Sequence, residues 1–264
     1  MGLTRQQRRR RARELADLGE AAARRGLPRA PQFDDLLGLT LLLRRALGGT
    51  GAASPAACAE IAHRTFDVSA RTDRDAAPLA CRKGCAYCCY AAVMITAPEA
   101  FRLARAVRTD KATPFLARAA ATAGMSAAQR FGRKLPCPLL KDGLCTVYAA
   151  RPLSCRRVAS FAVEPCREEY EGLGGDILLP RAPLAHAGNA QIPLLAALKA
   201  AGHPPRLYEL AAAVTLVLDT ENAEARWLAG ADIFAGLGAC EEPPRELSVL
   251  IDRLAAEVRA VEGD

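Results

Sequence analysis

CRKGCAYCCYAAVMITAPE, residues 81–99, opens with four cysteines in tight succession and then turns apolar. A thiolate is a soft, anionic ligand. Cys81, Cys85, Cys88 and Cys89 held this close would repel one another unless a cation such as zinc, or an iron–sulfur cluster, neutralised them. Behind the quartet, the run from Ala91 to Ile95 reads as a short strand. Thr96 and Glu99 then form a capping box that starts a helix through Phe101, Ala104 and Val107. The expected fold is therefore mainly α: a single helical globule with a small irregular or β-hairpin, cysteine-rich metal-binding core.

Working outward, eight of the ten cysteines lie between Cys81 and Cys166. With 264 residues and 51% hydrophobic content, the chain can bury a core without disulfide staples. Aromatic residues make up only 5% and alanine is plentiful, which favours close-packed helices over a β-sandwich. The formal charge is +7, and much of the excess sits at Arg5, Arg8, Arg9, Arg10, Arg11 and Arg13. No apolar stretch of the signal-peptide kind follows these arginines. The longest apolar runs stop well short of the ~20 residues that cross a bilayer. The expected setting is the cytoplasm, without membrane contact, where thiols stay reduced and clustered cysteines read as metal or redox sites.

Four stretches organise the chain: a basic N-terminal helical extension (1–30), a helical segment (31–77), the cysteine-cluster region (78–171) and a C-terminal helical region (172–264). Gly48, Gly49 and Gly51 separate two helices before the quartet, and Ser54 with Pro55 is a cap followed by a first helical position. Cys58 shares an apolar face with Ile61, Ala62, Thr65 and Phe66 and reads as core. After the quartet, helices are expected from Thr113 and Pro114, and from Ser126 with Gln129. Leu139 and Leu140, Asp142 and Gly143, then Leu144 to Tyr148 read as a hairpin flanked by Cys137 and Cys145. The span 172–190 reads as a surface connection. Helices follow near 192–201, 205–218, 223–229 and 244–261, with Cys240 in a loop as structural filler. His63, His186 and His203 fit no metal or nucleophile motif and read as surface residues.

Taken in order, Cys81, Cys85, Cys88 and Cys89, the segment from Val93 to Glu99, and the run Cys137, Pro138, Leu139, Leu140, Gly143, Cys145, Val147, Tyr148, Arg151, Pro152, Cys155, Arg156, closing at Cys166, resemble the YkgJ-like cysteine-cluster family, a zinc- or iron-chelating CxxCxxCC domain. The resemblance covers about a third of the chain. It implies metal ligation by Cys81, Cys85, Cys88, Cys89, Cys137, Cys145, Cys155 and Cys166. At Cys166 the sequence departs from the family, because Arg167, Glu168 and Glu169 stand where a glycine usually follows.

Residue chemistry adds to the resemblance. Adjacent Cys88 and Cys89 direct their side chains differently, so both can hardly serve one tetrahedral ion; two metals or one cluster follow. A zinc ribbon shows two short cysteine pairs, whereas the gaps from Cys137 to Cys145 and on to Cys155 are too long for a second knuckle, which favours iron–sulfur over zinc. Arg151 and Arg156 are candidate cofactor-binding residues, because guanidinium donors offset the charge of a thiolate cluster. Tyr148 reads as packing beside the site.

The leading functional expectation is thus a metal-binding protein that coordinates an iron–sulfur cluster or zinc through clustered thiolates. A cluster-dependent enzyme is the second. Cys81, Cys85 and Cys88 fit the three-cysteine pattern of radical S-adenosylmethionine enzymes, and flagellin lysine methylases carry a similar cluster, which raises a protein methylase. Such enzymes resemble an incomplete parallel barrel with a glycine-rich strand soon after the motif, and this chain turns helical at Thr96. A zinc-stabilised nucleic-acid binder is the third, resting on the basic start alone.

Overall fold

Thr4 opens the first helix, α1 (Arg5–Arg25), by a capping box with Gln7. α1 lies along α2 (Phe33–Gly48). Its arginines point mainly outward, while Leu15, Gly19 and Ala22 are buried. The two helices meet at glycine: a Cβ on Gly19 would stand 2.3 Å from the Gly38 carbonyl oxygen, so only glycine permits this crossing. The computed structural model describes residues 4–48, 54–74, 76–108, 111–238 and 240–263. The linker glycines Gly49 and Gly51 therefore lie outside the described residues.

Ser54 caps α3 (Pro55–Thr72) by accepting the Ala57 N–H, and Cys58 is fully buried as the apolar face requires. β1 (Met94–Ile95) leads directly into α4 (Ala97–Val107), whose capping box joins Thr96 and Glu99. α5 (Ala112–Ala120) and α6 (Ala127–Gly132) follow, the latter capped by Ser126 and Gln129. The hairpin forms between β2 (Leu140–Lys141) and β3 (Leu144–Cys145), with Asp142 at φ 50° and Gly143 at φ 73° supplying the left-handed turn. Short α7 (Leu153–Arg157) and α8 (Glu164–Glu171) complete the cysteine region.

The rest of the chain supplies the frame. α9 (Arg181–Ala200) packs on α2 and α3. It is followed by β4 (Leu207–Glu209), α10 (Leu210–Asp219), α11 (Ala223–Leu228), β5 (Cys240–Glu241) and α12 (Arg245–Glu262), which lies against α9. β4 is the centre of an antiparallel sheet in the order β1-β4-β5, with Ile95 opposite Tyr208 and Leu207 opposite Glu241. The architecture is mainly α with small antiparallel sheets. No described helix is long and apolar enough to cross a membrane.

Three expectations change. The surface connection read over 172–190 ends at Arg181, where α9 begins. Pro183 is tolerated in its first turn, and interior Pro193 is carried by burial of Leu194, Leu195 and Leu198. The helix expected from 205 starts only at Leu210, because the preceding residues pair with β1 and β5. Cys240 begins β5 opposite Tyr208 and is not in a loop.

Candidate metal centre

The quartet is carried on tight local turns. Cys85 donates its N–H to the Arg82 carbonyl at 3.0 Å and Cys89 to that of Ala86 at 2.9 Å, and a 3-10 turn spans Tyr87–Tyr90. Ala80 donates to the Ser160 carbonyl at 2.9 Å, and Ser160 returns its own N–H to the Cys81 Sγ at 3.2 Å. Tyr170 of α8 packs its ring 5.7 Å from Tyr87 and 4.7 Å from Tyr90. Cys166 lies one helical turn before Tyr170, so the tyrosine contact brings its thiol toward the quartet.

The second half docks through main chain and helix. Cys137 donates its N–H to the Cys89 carbonyl at 2.7 Å, and Cys145 pairs across the hairpin with Leu140. Cys155 rides on α7. That helix is pinned where Leu153 N–H meets Glu99 Oε1 at 2.7 Å, where Ser154 Oγ–H meets the Met94 carbonyl, and where Arg156 pairs with Asp67.

Seven thiols, Cys81, Cys85, Cys88, Cys89, Cys137, Cys145 and Cys155, line one cavity of about 420 Å³ together with Arg151 and Arg156. Cys166 stands outside this lining but acts electrostatically on the same group. Mutual influence sorts the thiols into two overlapping sets. Cys81 and Cys166 each feel Cys85 and Cys88, whereas Cys89 and Cys155 feel Cys88 and Cys137, and Cys145 also acts on Cys137 and Cys155. Among the described residues, no three Cys, His, Asp or Glu side chains are closed to the spacing that holds a metal ion. The thiols sit around the cavity wall.

Electrostatics differ from thiol to thiol. Burial pushes Cys155 and Cys137 up, and neighbouring thiols add to the rise. Cys88 is brought down to about 7, first by the hydrogen bond it accepts from the Cys89 thiol and further by the charge of Arg151, against the effect of burial. Cys89, as donor in that bond, is pushed up correspondingly. Arg151 lies with its guanidinium carbon 3.7 Å from the Tyr148 ring centroid, and its Nε is buried without a hydrogen-bond partner. It favours the thiolate form at Cys88, Cys145 and Cys155. An unused buried donor and a positive charge among clustered thiols would fit an anionic, sulfur-rich metal group. Arg156 differs: its Nε donates to the Arg151 carbonyl at 2.7 Å, one Nη to the Ala149 carbonyl at 2.8 Å, and the other to Asp67. Tyr148 packs beside the site as its position suggested.

Two histidines read as surface residues are interior. His63 is 2% exposed and bonds Glu99 Oε1 at 3.0 Å; His186 is 3% exposed and bonds Asp73 Oδ2 at 2.9 Å. His203 is half-buried, stacked 3.7 Å from the Trp227 ring. Each is held by groups distant in sequence, which no local motif reveals. Arg130 was also missed. It is buried at the end of α6, paired with Glu209 at 3.1 Å, and its charge works against the rise at Cys137. Glu99 was legible only as a capping residue.

Residues 80–171 match the CxxCxxCC family, described as "Putative zinc- or iron-chelating domain", the same family as the YkgJ-like one. No curated protein and no solved structure matches the chain.

Proposed function

We propose that the chain is a metal-binding protein whose clustered thiolates hold an iron–sulfur centre between the quartet and the hairpin. The observation that carries this reading is the convergence of seven cysteines, from both sides of the helical insert α4 to α6, on one cavity of about 420 Å³. The family description supports chelation of zinc or iron. Two features favour a cluster. A tetrahedral zinc draws four ligands to about 2.3 Å and fills its own site, whereas a sulfur-bridged cluster needs a larger space. Cluster sulfurs also accept hydrogen bonds, a role open to the Arg151 Nε.

In this reading the thiolates surround the centre as two overlapping groups, Cys81, Cys85, Cys88 and Cys166 on one side and Cys89, Cys137, Cys145 and Cys155 on the other. Arg151 offsets thiolate charge directly, and Arg156 holds the backbone of Arg151 and Ala149 behind it. When bound, such a centre supplies one-electron chemistry or a rigid sulfur-bridged core. Free thiols at this density suit the reducing cytoplasm. The methylase alternative gains nothing from a mainly α architecture, since the enzymes that share its cysteine pattern resemble an incomplete parallel barrel.

Anaerobic purification with metal and sulfide analysis is the test. A brown protein with visible absorption and stoichiometric iron and sulfide is expected. A colourless protein with bound zinc would replace the cluster by a zinc centre, and a preparation retaining neither would refute metal binding.

A further inference from the structure

Glu99 is a fully buried carboxylate with every bond accounted for. Its Oε1 accepts the Leu153 N–H at 2.7 Å and the His63 Nε2–H at 3.0 Å. Its Oε2 accepts the Thr96 N–H at 2.9 Å and the Thr96 Oγ–H at 3.0 Å. An isolated buried carboxylate is strongly disfavoured, and four donors are what allow this one to stay ionised. The donors also fix the histidine. Arg102 places an Nη on His63 Nδ1 at 2.7 Å, and a guanidinium can only donate, so Nδ1 carries the lone pair and Nε2 the proton. His63 is therefore neutral.

The placement of these bonds matters more than their number. Thr96 leads back through β1 to Cys89. Leu153 leads forward, two residues on, to Cys155. Cys155 stands close enough to Cys89 to act on it electrostatically, and both line the same cavity. A capping box alone would need only the Thr96 side of the carboxylate. The other oxygen is spent on α7, a short helix on the far side of the cysteine region, and on α3 behind it.

We infer that Glu99, oriented by the His63–Arg102 pair, is a positioning residue of the thiol site: it sets where Cys155 stands relative to Cys89. The inference rests on the metal-binding reading for its purpose, but its geometry is independent of any bound metal. In Glu99→Gln one oxygen becomes an amide N–H that faces donors, so one pair of bonds is lost. In Glu99→Asp the charge and the cap remain, but the carboxylate is too short to span Thr96 and Leu153 together.

Two readouts test it on the full-length protein. In the metal-free state, site-resolved alkylation by mass spectrometry is followed at Cys155 and at Cys58, the latter a fully buried reporter of overall folding. Both variants are expected to label Cys155 about tenfold faster than wild type while Cys58 stays protected. In the loaded state, competition with a chelator is expected to reveal affinity lowered by about 10- to 100-fold, the usual effect of losing a group that orients a ligand. Wild-type labelling of Cys155 and wild-type metal retention in folded variants would overturn the inference. So would equally fast labelling of Cys58 in both variants, which would make Glu99 a determinant of the whole fold. If wild type itself retains no metal, the chelation reading fails, and the alkylation arm still decides the positioning role.

Discussion

Cys137 donates its backbone N–H to the carbonyl oxygen of Cys89 at 2.7 Å. This bond joins the two halves of the cysteine region at main chain, directly beside two thiols. It engages only main-chain atoms, so the approach of the two segments is set by the backbone and uses neither thiol.

The thiols should divide sharply by role. Cys81→Ser and Cys85→Ser should each lower metal per chain strongly. Cys58→Ser should leave metal content near wild type, because Cys58 is buried between helices and its Sγ–H faces the Leu43 carbonyl at 3.5 Å. Metal analysis of the three proteins, purified side by side, checks this. Equal losses would contradict the ligand assignment.

Arg151 contributes charge, a cation–π contact with the Tyr148 ring and an unused Nε. Arg151→Ala should weaken metal retention by about tenfold or more, the range found when a group bonded to metal ligands is removed. Arg151→Lys restores charge without the planar fork and should fall between alanine and wild type. Chelator competition separates the three. The Cys88 thiol, held at about 7 chiefly by the Cys89 hydrogen bond, then by its own backbone N–H and last by the charge of Arg151, should also titrate slightly higher in the alanine variant, as read by the pH dependence of its alkylation.

Gly19→Ala should act on the fold alone. Its Cβ would fall 2.3 Å from the Gly38 oxygen, and that atom is backbone, so α1 and α2 must separate. A loss of about 1–3 kcal/mol is expected, as for other overpacked contacts. Urea unfolding should register it while metal per chain stays unchanged.

Stability should fall on mild acidification. Burial lowers the pKa of His63, only partly opposed by its bond to Glu99. The unfolded chain therefore takes up a proton near pH ~6.5 that the native state refuses, so this contribution is intact above that pH and is lost below it, by at most about 1.4 kcal/mol per pH unit. His203, also lowered by burial, adds in the same direction. Glu99 extends the trend to lower pH: burial opposes its charge, yet the bonds from His63, Thr96 and Leu153 hold its pKa below normal, so its contribution disappears as pH falls below ~4.3 and through its native value. Unfolding midpoints of metal-free protein between pH 7.5 and 5 should drop in wild type and drop less in His63→Gln.

What the amino-acid sequence determined by itself was local. The caps at Ser54, Thr96 with Glu99, and Ser126 with Gln129 were legible because each closes a bond three residues away. The Asp142–Gly143 turn was legible because few residues accept positive φ. The quartet was legible because thiolates so close in sequence cannot be far apart in space.

The tertiary structure alone decided the rest. The first half of α9 was hidden, since Pro183 and Gly188 argue by propensity against a helix that burial of Ala187, Ala190 and the later leucines sustains. β4 was hidden because its partners, β1 and β5, lie far away in the chain. The second bond of Glu99, to Leu153 N–H, spans 54 residues, and the pairing of Arg156 with Asp67 spans 89. Such contacts carry no periodicity and no spacing rule. They exist because packing brings a buried charge to the donors it cannot do without.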